Sequence, residues 1–317
     1  MFRKYVVVIA VVMIIVLSLT SCASRSQVVV TKNLKVVTTL FPQYDFVRQI
    51  AGDKVDVSLL LPPGVESHAY EPSPRDIVDV QKAAVFIYTG KNMEPWAEKI
   101  IQASQGKLLI IDSSKGIELM DEDDDHEEPD GDDENEHGHD GEDPHIWLNP
   151  IYAQKMVDNI VAGLAQADAK NAELYRSNGD VYKQKLQVLD DKFLETFAQA
   201  KTKQIIYAGH FAFGHFATRY GLEHISPYTG FAPDAEPTPQ RIAELIENVR
   251  DSIRKVIYYE ELVDPKVAKV IAEQTGAKML LLHAAHNVSK EDLSSGITYL
   301  EIMEGNLQKL QEGFSGK

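Results

Sequence analysis

The chain has 317 residues, of which 44% are hydrophobic, and its 32 Lys and Arg against 48 Asp and Glu give a formal net charge of −16. This composition is typical of a folded globular protein and argues against a disordered one. The acidic balance, with no basic cluster beyond the first four residues, argues against a nucleic-acid-binding protein, because affinity for phosphate backbones comes from clustered cations. The length favours about two domains.

The N-terminus has the pattern of a secretory signal peptide. Arg3 and Lys4 precede an apolar run over Tyr5–Leu17, and a polar stretch begins at Ala23. The 13 residues of the apolar run fall short of the ~20 that a membrane-spanning helix needs. We therefore predict that residues 1–21 form a signal peptide rather than a permanent membrane anchor.

Cys22 is the only cysteine in the chain, so it cannot form an internal disulfide. Leu19-Thr20-Ser21-Cys22 resembles the bacterial lipobox, in which the cysteine is lipidated and becomes the first residue of the mature protein. This resemblance implies a lipid anchor on the extracytoplasmic face of the cell membrane, with residues 22–33 as a tether. The alternative is an ordinary signal peptide with an incidental cysteine.

Eight β-rich apolar runs alternate with helical patterns such as those over 239–251 and 265–275. The predicted strands are Leu34–Phe41, Val55–Leu61, Ala84–Thr89, Leu108–Asp112, Gln204–Ala208, His224–Tyr228, Lys255–Glu261 and Lys278–Leu282. Strands that alternate with helices at this spacing predict parallel sheets built from βαβ units. We therefore expect two α/β lobes of similar design, over 34–168 and 202–317.

A polar, helix-forming stretch over 169–201 separates the two predicted lobes. Its apolar residues recur at roughly helical intervals, which predicts one long helix. At ~1.5 Å per residue, such a helix is on the order of 45 Å long. Gly179 leaves open a break into two helices, because a glycine inside a helix costs about 1 kcal/mol.

The segment Asp121–Asp143 contains 15 acidic residues, no Lys or Arg, and three histidines, His126, His137 and His139. It has no large apolar side chain, so it cannot form a core of its own and is predicted to be a flexible loop. Its carboxylates would raise the local concentration of divalent cations, and its histidines would add selectivity for softer ones. We expect weak, reversible metal capture; a solubilising insertion is the alternative.

Five other histidines lie in loops that follow predicted strands. His68 follows the second strand, His145 lies beyond the acidic segment, His210 follows the fifth strand, and His283 and His286 follow the eighth. Because open parallel sheets bind ligands at the carboxyl ends of their strands, we expect these side chains to form one site. Several imidazoles from different loops suit tetrahedral zinc better than calcium or magnesium.

Two further histidines are predicted to lie outside the set of metal ligands. His215 lies five residues after His210 in a predicted helix over 211–220, so it should face another direction and act as a structural or supporting group. His224 lies at the start of a predicted strand rather than at its end. For any single histidine, a helix cap or a satisfied loop residue is the alternative interpretation.

Several motifs occur in order along the predicted mature chain. They are Thr38-Thr39-Leu40-Phe41-Pro42, Gly64–Asp76, Asp143-Pro144-His145-Ile146-Trp147-Leu148-Asn149-Pro150, Gly209-His210-Phe211-Ala212-Phe213 leading to Arg219-Tyr220-Gly221-Leu222, and Glu236-Pro237-Thr238-Pro239. Together they resemble the metal-binding lipoproteins of bacterial ABC transporters for zinc and manganese. This family is the cluster A-I solute-binding proteins, and the resemblance is to its zinc-uptake branch.

The resemblance implies an α/β fold of two (β/α)4 lobes, joined by a long rigid helix, with metal bound in the cleft between them. The first three ligands of the family fall on His68, His145 and His210. The fourth is a Glu or an Asp in many members, whereas this chain has His286 at the Glu position and His283 as an alternative or additional ligand. Replacing a carboxylate by imidazole should weaken manganese more than zinc.

The function implied is capture of Zn²⁺ outside the membrane and its delivery to an ABC permease and its ATPase, by a monomer with no enzymatic step. The alternatives are a manganese-transport protein of the same kind, a surface adhesin and a tethered zinc hydrolase. The hydrolase would use His68, His145 and His210 with a metal-bound water, and Glu66 or Glu260 as its base.

Overall fold

The structure is a computed structural model that describes residues 33–68, 70–104, 106–120, 142–228 and 237–315. Cys22 and the three histidines of the acidic segment (His126, His137 and His139) lie outside these ranges, so the lipid anchor and the metal-collecting loop stay predictions. The described residues fall within one compact unit, Asn33–Lys317. None of the helices formed by the described residues is long and apolar enough to cross a membrane.

The N-terminal half begins with four strands that alternate with three α-helices. These elements are β1 (Leu34–Thr38), α1 (Phe41–Ala51), a 3₁₀ turn (Gly52–Lys54), β2 (Val55–Leu59), α2 (Pro74–Gln81), β3 (Val85–Tyr88), α3 (Ala97–Ala103) and β4 (Leu109–Asp112). The strands form one parallel sheet in the order β2-β1-β3-β4. Because the strands are parallel, the loops that follow them leave the same edge of the sheet.

Two long helices follow the acidic segment. The elements are a 3₁₀ turn (Ile146–Leu148), α4 (Pro150–Ala167), a second 3₁₀ turn (Ala169–Asn171) and α5 (Ala172–Ala198). The long helix predicted over 169–201 is therefore present as 27 α-helical residues in α5, about 40 Å in length. It starts three residues later than predicted because the 3₁₀ turn occupies 169–171.

The C-terminal half repeats the alternation. Its elements are β5 (Gln204–Ile206), α6 (Gly214–Tyr220), β6 (Glu223–Ile225), α7 (Pro239–Asp251), β7 (Val256–Tyr259), α8 (Lys266–Thr275), β8 (Lys278–Leu281), α9 (Lys290–Ser295) and α10 (Tyr299–Ser315). β5 pairs with β6 and β7 with β8, both in parallel. A parallel bridge between Tyr207 and Tyr258 joins the two pairs, which gives the order β6-β5-β7-β8. The predicted α/β fold with two parallel sheets and a long helix is confirmed.

Gly179 does not break α5, because α4 packs against it. A Cβ atom at Gly179 would lie 2.6 Å from Cγ2 of Val161 in α4. The missing side chain thus lets the two helices approach closely, and the packing gained offsets the conformational cost of a glycine inside a helix. The predicted alternative of two separate helices is wrong for this reason.

Buried polar contacts fasten the C-terminal half to α5 and α1. The carboxylate of Asp190 in α5 is fully buried and accepts hydrogen bonds from Arg219 Nε at 2.9 Å and Nη2 at 2.6 Å, and from the Tyr220 hydroxyl at 2.8 Å. Asp45 in α1 accepts the backbone N–H of Tyr299 at 2.9 Å, at the start of α10. The main hydrophobic cluster contains residues of both sheets and of α5, so one core supports both halves.

Glu94 is a buried carboxyl group in the loop after β3. Its Oε1 accepts the Thr39 hydroxyl at 2.5 Å, and its Oε2 accepts the backbone N–H of Thr89 at 3.0 Å. These bonds join the chain just after β1 to the chain just after β3. Burial raises the pKa of Glu94 to about 8, and the hydrogen bonds only partly offset that effect.

We predict that substituting Gly179→Ala destabilises the protein by about 1–2 kcal/mol, because the added methyl group clashes with Val161 in a packed interface. Gly305 in α10 is the matched control, since a Cβ atom there would have no neighbour within 4 Å. Gly305→Ala should stabilise by about 0.5–1 kcal/mol through lower chain entropy. Denaturant unfolding measures both, and equal stabilisation by the two substitutions would contradict the close approach of α4 and α5.

We also predict a pH dependence of stability that arises from Glu94. Its pKa is about 8 in the folded protein against 4.5 for an ordinary glutamate, so between these values the folded state binds a proton that the unfolded state lacks. Stability should therefore fall as pH rises through this window, by up to roughly 1 kcal/mol per pH unit. The free energy of unfolding, measured at pH 5, 6, 7 and 8, should decline less steeply with pH in Glu94→Gln than in the wild type. Equal slopes in the two proteins would show that Glu94 is not the source of the pH dependence.

Candidate metal centre

The loop after β2 carries His68. The turn at Pro62–Val65 contains Gly64 with φ of 81°, a left-handed conformation that glycine adopts without strain. The backbone N–H of His68 donates to Glu66 Oε1 at 2.9 Å. These contacts shape the loop and leave the His68 imidazole partly exposed at the carboxyl edge of the N-terminal sheet.

His145 is fully buried beside Asp143 at the start of the Asp-Pro-His motif. Asp143 Oδ1 accepts both the backbone N–H of His145 at 2.9 Å and its Nδ1 at 2.7 Å. A carboxylate oxygen accepts hydrogen bonds, so Nδ1 carries the proton and Nε2 has a free lone pair. Burial raises the pKa of Asp143, but the hydrogen bonds and charges of His145 and His215 outweigh it, and the net pKa lies below its usual value.

His215 supports this arrangement from α6. Its Nε2 donates to the backbone carbonyl of Asp143 at 2.8 Å, and its ring packs edge-on against Tyr152. The side chain is buried, and it holds the backbone that positions Asp143 behind His145. His224 lies on β6 and stacks on Phe211, with ring centroids 3.8 Å apart.

His210 follows β5 and is almost completely buried. Its Nδ1 lies 3.0 Å from Glu260 Oε2, in the loop after β7. As with His145, the carboxylate fixes the proton on Nδ1 and leaves the Nε2 lone pair free.

The side chains of His68, His145 and His210 converge although they come from three different loops. Each offers one nitrogen, and these nitrogens all lie within 4.8 Å of one another. His145 Nε2 lies 3.0 Å from His68 Nε2 and 3.4 Å from His210 Nε2. Zinc–nitrogen bonds of 2.0–2.1 Å in a tetrahedron would separate neighbouring nitrogens by about 3.3 Å, so this spacing fits one zinc-sized ion.

The surroundings of His68 and His145 favour the neutral imidazole, which is the form that binds metal. Burial, followed by the charges of the neighbouring histidines, places the pKa of His68 well below its usual value. Burial also lowers the pKa of His145, although its contacts with Asp143 oppose the shift. The bare Nε2 atoms of His145 and His210 face each other, which is unfavourable unless a cation or a donor lies between them.

His286 and His283 follow β8 and have different surroundings. Burial lowers the pKa of His286 to about 4. Its side chain lines a small cavity together with His210, but it is not among the described residues whose nitrogens converge within 4.8 Å of one another. His283 instead accepts the backbone N–H of Ala285 with its Nδ1 at 2.9 Å, and Asn306 Oδ1 accepts its backbone N–H at 2.8 Å. These contacts give His283 a role in shaping the loop after β8.

The loop after β8 is hydrogen-bonded to the N-terminal half. The buried Asn287 side chain donates to the carbonyls of Pro62 at 2.8 Å and Val65 at 2.7 Å, in the loop that carries His68. Trp147 Nε1 donates to the carbonyl of Ala284 at 2.7 Å, and Phe41 N–H donates to that of His286 at 3.1 Å. The loops from the two halves are therefore held together beside the histidines.

The acidic segment begins and ends beside this site. The backbone N–H of Asp143 donates to the carbonyl of Met120 at 2.9 Å, so the two described residues that flank the segment lie side by side. Asp143 lies two residues before His145. A small cavity of about 70 Å³ borders the cluster at His210 and is lined by Glu66, His210, Glu260, Glu261, His286 and neighbouring residues.

The sequence prediction did not assign roles to the carboxylates behind the histidines or to Asn287. The sequence pattern places Asp143 in the acidic segment, and it offers Glu260 only as the base of a hydrolase. A usable signal was present, because Asp143 lies two residues before His145 and Glu260-Glu261 follow a strand at the edge where the histidines lie. The pairing of each carboxylate with its histidine depends on tertiary contacts, which the sequence pattern does not specify.

The structure has two α/β halves with parallel sheets, a long helix between them and a buried histidine cluster at the carboxyl edges of the sheets. This combination defines a two-lobed solute-binding protein. Comparison with known proteins agrees with this class. The chain matches the family described as ZnuA, zinc-uptake complex component A, periplasmic, over residues 36–313. The chain therefore belongs to the ZnuA family.

Individual proteins similar to this chain are described as zinc-uptake or zinc-binding proteins. The chain is 41% identical over 282 residues to the high-affinity zinc uptake system protein ZnuA of Bacillus subtilis, a match that covers 88% of this chain and 87% of that protein. It is 34% identical over 296 residues to the zinc-binding lipoprotein AdcA of Streptococcus pneumoniae, covering 93% of this chain but 58% of AdcA. The crystal structure of the Zn(II)-bound ZnuA-like domain of AdcA has a TM-score of 0.74 and 33% identity, over 89% of this chain and 99% of that domain.

Proposed function

We propose that the protein is the zinc-binding component of an ABC transporter for zinc uptake. It captures Zn²⁺ outside the cytoplasmic membrane and delivers the ion to a membrane permease that an ATPase drives. The observation that carries this proposal is the convergence of one nitrogen each from His68, His145 and His210 within 4.8 Å, with His145 Nε2 at 3.0 Å from His68 Nε2 and 3.4 Å from His210 Nε2. The names of the relatives, a zinc uptake protein and a zinc-binding lipoprotein, support zinc as the ion.

The proposed ligands are His68, His145, His210 and His286, which would give zinc four neutral nitrogen donors. Imidazole suits zinc, whereas manganese favours hard carboxylate oxygens, so this donor set favours zinc over manganese. A site closed by four protein ligands also leaves no position for a water molecule to be activated. We therefore propose binding and release of the ion without a chemical step.

The hydrolase alternative requires a free carboxylate as general base. Glu260 Oε2 lies 3.0 Å from His210 Nδ1, so this carboxylate is engaged with a proposed ligand. Glu66 Oε1 accepts the backbone N–H of His68. These contacts suit support of the ligand histidines better than activation of water, and the relatives are described as components of zinc uptake.

The proposed location is the extracytoplasmic face of the cell membrane, with the mature protein anchored by a lipid on Cys22. The lipobox-like Leu19-Thr20-Ser21-Cys22 supports this, as does the description of AdcA as a lipoprotein. We further propose lobes over 34–168 and 202–317, joined by the helical segment 169–201. The hydrogen bonds from Asn287 to Pro62 and Val65 limit the opening of the lobes around the ion.

We propose that the acidic segment collects zinc for the primary site through His126, His137 and His139. The hydrogen bond between Asp143 and Met120 supports this role, because it holds the two ends of the segment together, and Asp143 lies two residues before His145. Capture by a carboxylate-rich segment should be weak, which suits transfer to a tighter site nearby.

For the primary site we predict one tightly bound Zn²⁺ per protein, bound more weakly when His286 is substituted. His286→Ala should lower zinc affinity by about 100-fold or more, since one of four nitrogen ligands is removed. His283→Ala is the matched control and should have a much smaller effect. Competition with a zinc chelator measures both affinities.

If His283→Ala lowers zinc affinity more than His286→Ala does, the fourth ligand is His283 instead of His286. Manganese competition provides a second criterion, because Mn²⁺ at equal concentration should leave Zn²⁺ bound. Displacement of zinc by manganese under these conditions would contradict the proposed metal preference.

For the acidic segment we predict that replacing residues 121–141 by a short Gly-Ser linker lowers the number of weakly bound zinc ions and leaves primary-site affinity unchanged. The matched control substitutes only His126, His137 and His139 by serine, which keeps the carboxylates. This control should lose preference for zinc over calcium in the weak sites. Equilibrium dialysis gives the stoichiometries, and unchanged weak binding in the linker variant would exclude a metal-collecting role.

A further inference from the structure

Two consecutive glutamates, Glu260 and Glu261, follow β7 at the edge where the histidine cluster lies. In the sheet order β6-β5-β7-β8, β7 lies between the strands that precede His210 and His286. The loop after β7 is therefore flanked by the two loops that carry the proposed ligands of the C-terminal half. Each glutamate is therefore next to the loop of one of these two histidines.

Glu260 contacts His210. Its Oε2 lies 3.0 Å from His210 Nδ1, and the other oxygen packs against the backbone of Gly209. A Cβ atom at position 209 would lie only 2.8 Å from Glu260 Oε1. Glycine at 209 thus leaves the space that the carboxylate needs to approach the histidine from behind.

Glu261 contacts the loop after β8. Its Oε2 accepts the backbone N–H of Ala284 at 2.8 Å, while its Oε1 lies 3.2 Å from His283 Nδ1 and 3.6 Å from His286 Nδ1. His283 Nδ1 already accepts the Ala285 N–H, so it has no proton to donate to Glu261.

The remaining partner for Glu261 Oε1 is His286 Nδ1. Both atoms are buried and lack a hydrogen bond within the described part of the chain. Their separation is slightly too long for a hydrogen bond, and a small rotation of the imidazole would close it. Pairing them would satisfy a buried donor and a buried acceptor at once and would leave the Nε2 of His286 available to a metal ion.

Charge balance favours the same arrangement. A divalent ion held by four neutral imidazoles would introduce two positive charges into a buried site. Carboxylates in contact with the outer nitrogens of metal-binding histidines increase their basicity and fix their orientation. Asp143 does this for His145 in the N-terminal half, and Glu260 and Glu261 are the corresponding groups in the C-terminal half.

We propose that Glu260 and Glu261 are a pair of positioning residues, each of which orients one ligand histidine so that its Nε2 faces the metal: Glu260 acts on His210 and Glu261 on His286. This inference rests on the proposed function, because it takes both histidines as zinc ligands. Neither glutamate itself contacts the ion.

The test measures zinc affinity by chelator competition for Glu260→Gln, Glu261→Gln and the wild-type mature protein. Glutamine keeps the shape of the side chain, but its amide can donate to Nδ1 and so stabilise the tautomer with a proton on Nε2. Each substitution should lower zinc affinity by about 10- to 100-fold. Glu273→Gln, at an exposed position of α8, is the matched control and should leave the affinity unchanged.

The same substitutions in His210→Ala and His286→Ala backgrounds identify the partner of each glutamate. Glu260→Gln should lose its effect on affinity when His210 is absent and keep it when His286 is absent, and Glu261→Gln should behave in the opposite way. A merely structural role would lower the unfolding free energy of the metal-free protein and couple to neither histidine.

Two failures are distinguishable. If the wild-type protein binds no zinc tightly, the proposed function is wrong. If it binds zinc but both glutamine variants bind equally well, or their effects persist after the partner histidine is removed, the positioning role alone is overturned.

Discussion

The histidine cluster contains one unfavourable contact between nitrogen lone pairs, and the rest of the site must balance this repulsion. The Nε2 atoms of His145 and His210 lie 3.4 Å apart, and carboxylates hold the protons of both rings on the opposite nitrogens. Two bare acceptors at this distance in a buried site repel each other. The surrounding structure must hold them in place, and a cation between them would turn the repulsion into attraction. The His68 Nε2 atom lies 3.0 Å from His145 Nε2, so a proton on His68 Nε2 would relieve the repulsion by donating to His145, and it would have to leave that nitrogen before the same nitrogen could bind a metal ion.

Hydrogen bonds between loops oppose that repulsion. Asn287 bonds to two carbonyls of the His68 loop, and Trp147 bonds to the carbonyl of Ala284. These contacts connect segments that are far apart in the chain, so the geometry of the histidine cluster depends on the folded protein as a whole. The parallel sheets supply the starting point, because they bring the loops of each half to one edge. The bond between the Asp143 N–H and the Met120 carbonyl holds the two ends of the acidic segment together.

Much of the fold follows from local pattern. The alternation of apolar runs and helical segments predicted all eight strands, and α7 occupies the predicted range 239–251. The strand ends were less well predicted, because residues such as Tyr207 and Ala208 are apolar but belong to the loop that leads to His210. The alternative of a helix break at Gly179 was wrong. The conformational cost of a glycine in a helix can be read from the sequence, whereas the space that Gly179 leaves for Val161 depends on tertiary packing.

The sequence by itself determined the order of elements, the family resemblance and the histidines that reach the carboxyl edges of the sheets. Strand position sets that edge, and strand position can be read from hydrophobic pattern. Only the tertiary structure decided which carboxylate lies behind which imidazole, and that His215 supports Asp143. It also distinguished the surroundings of His283 from those of His286, three residues away. These relationships depend on side-chain directions and on contacts between distant loops, which spacing along the chain does not encode.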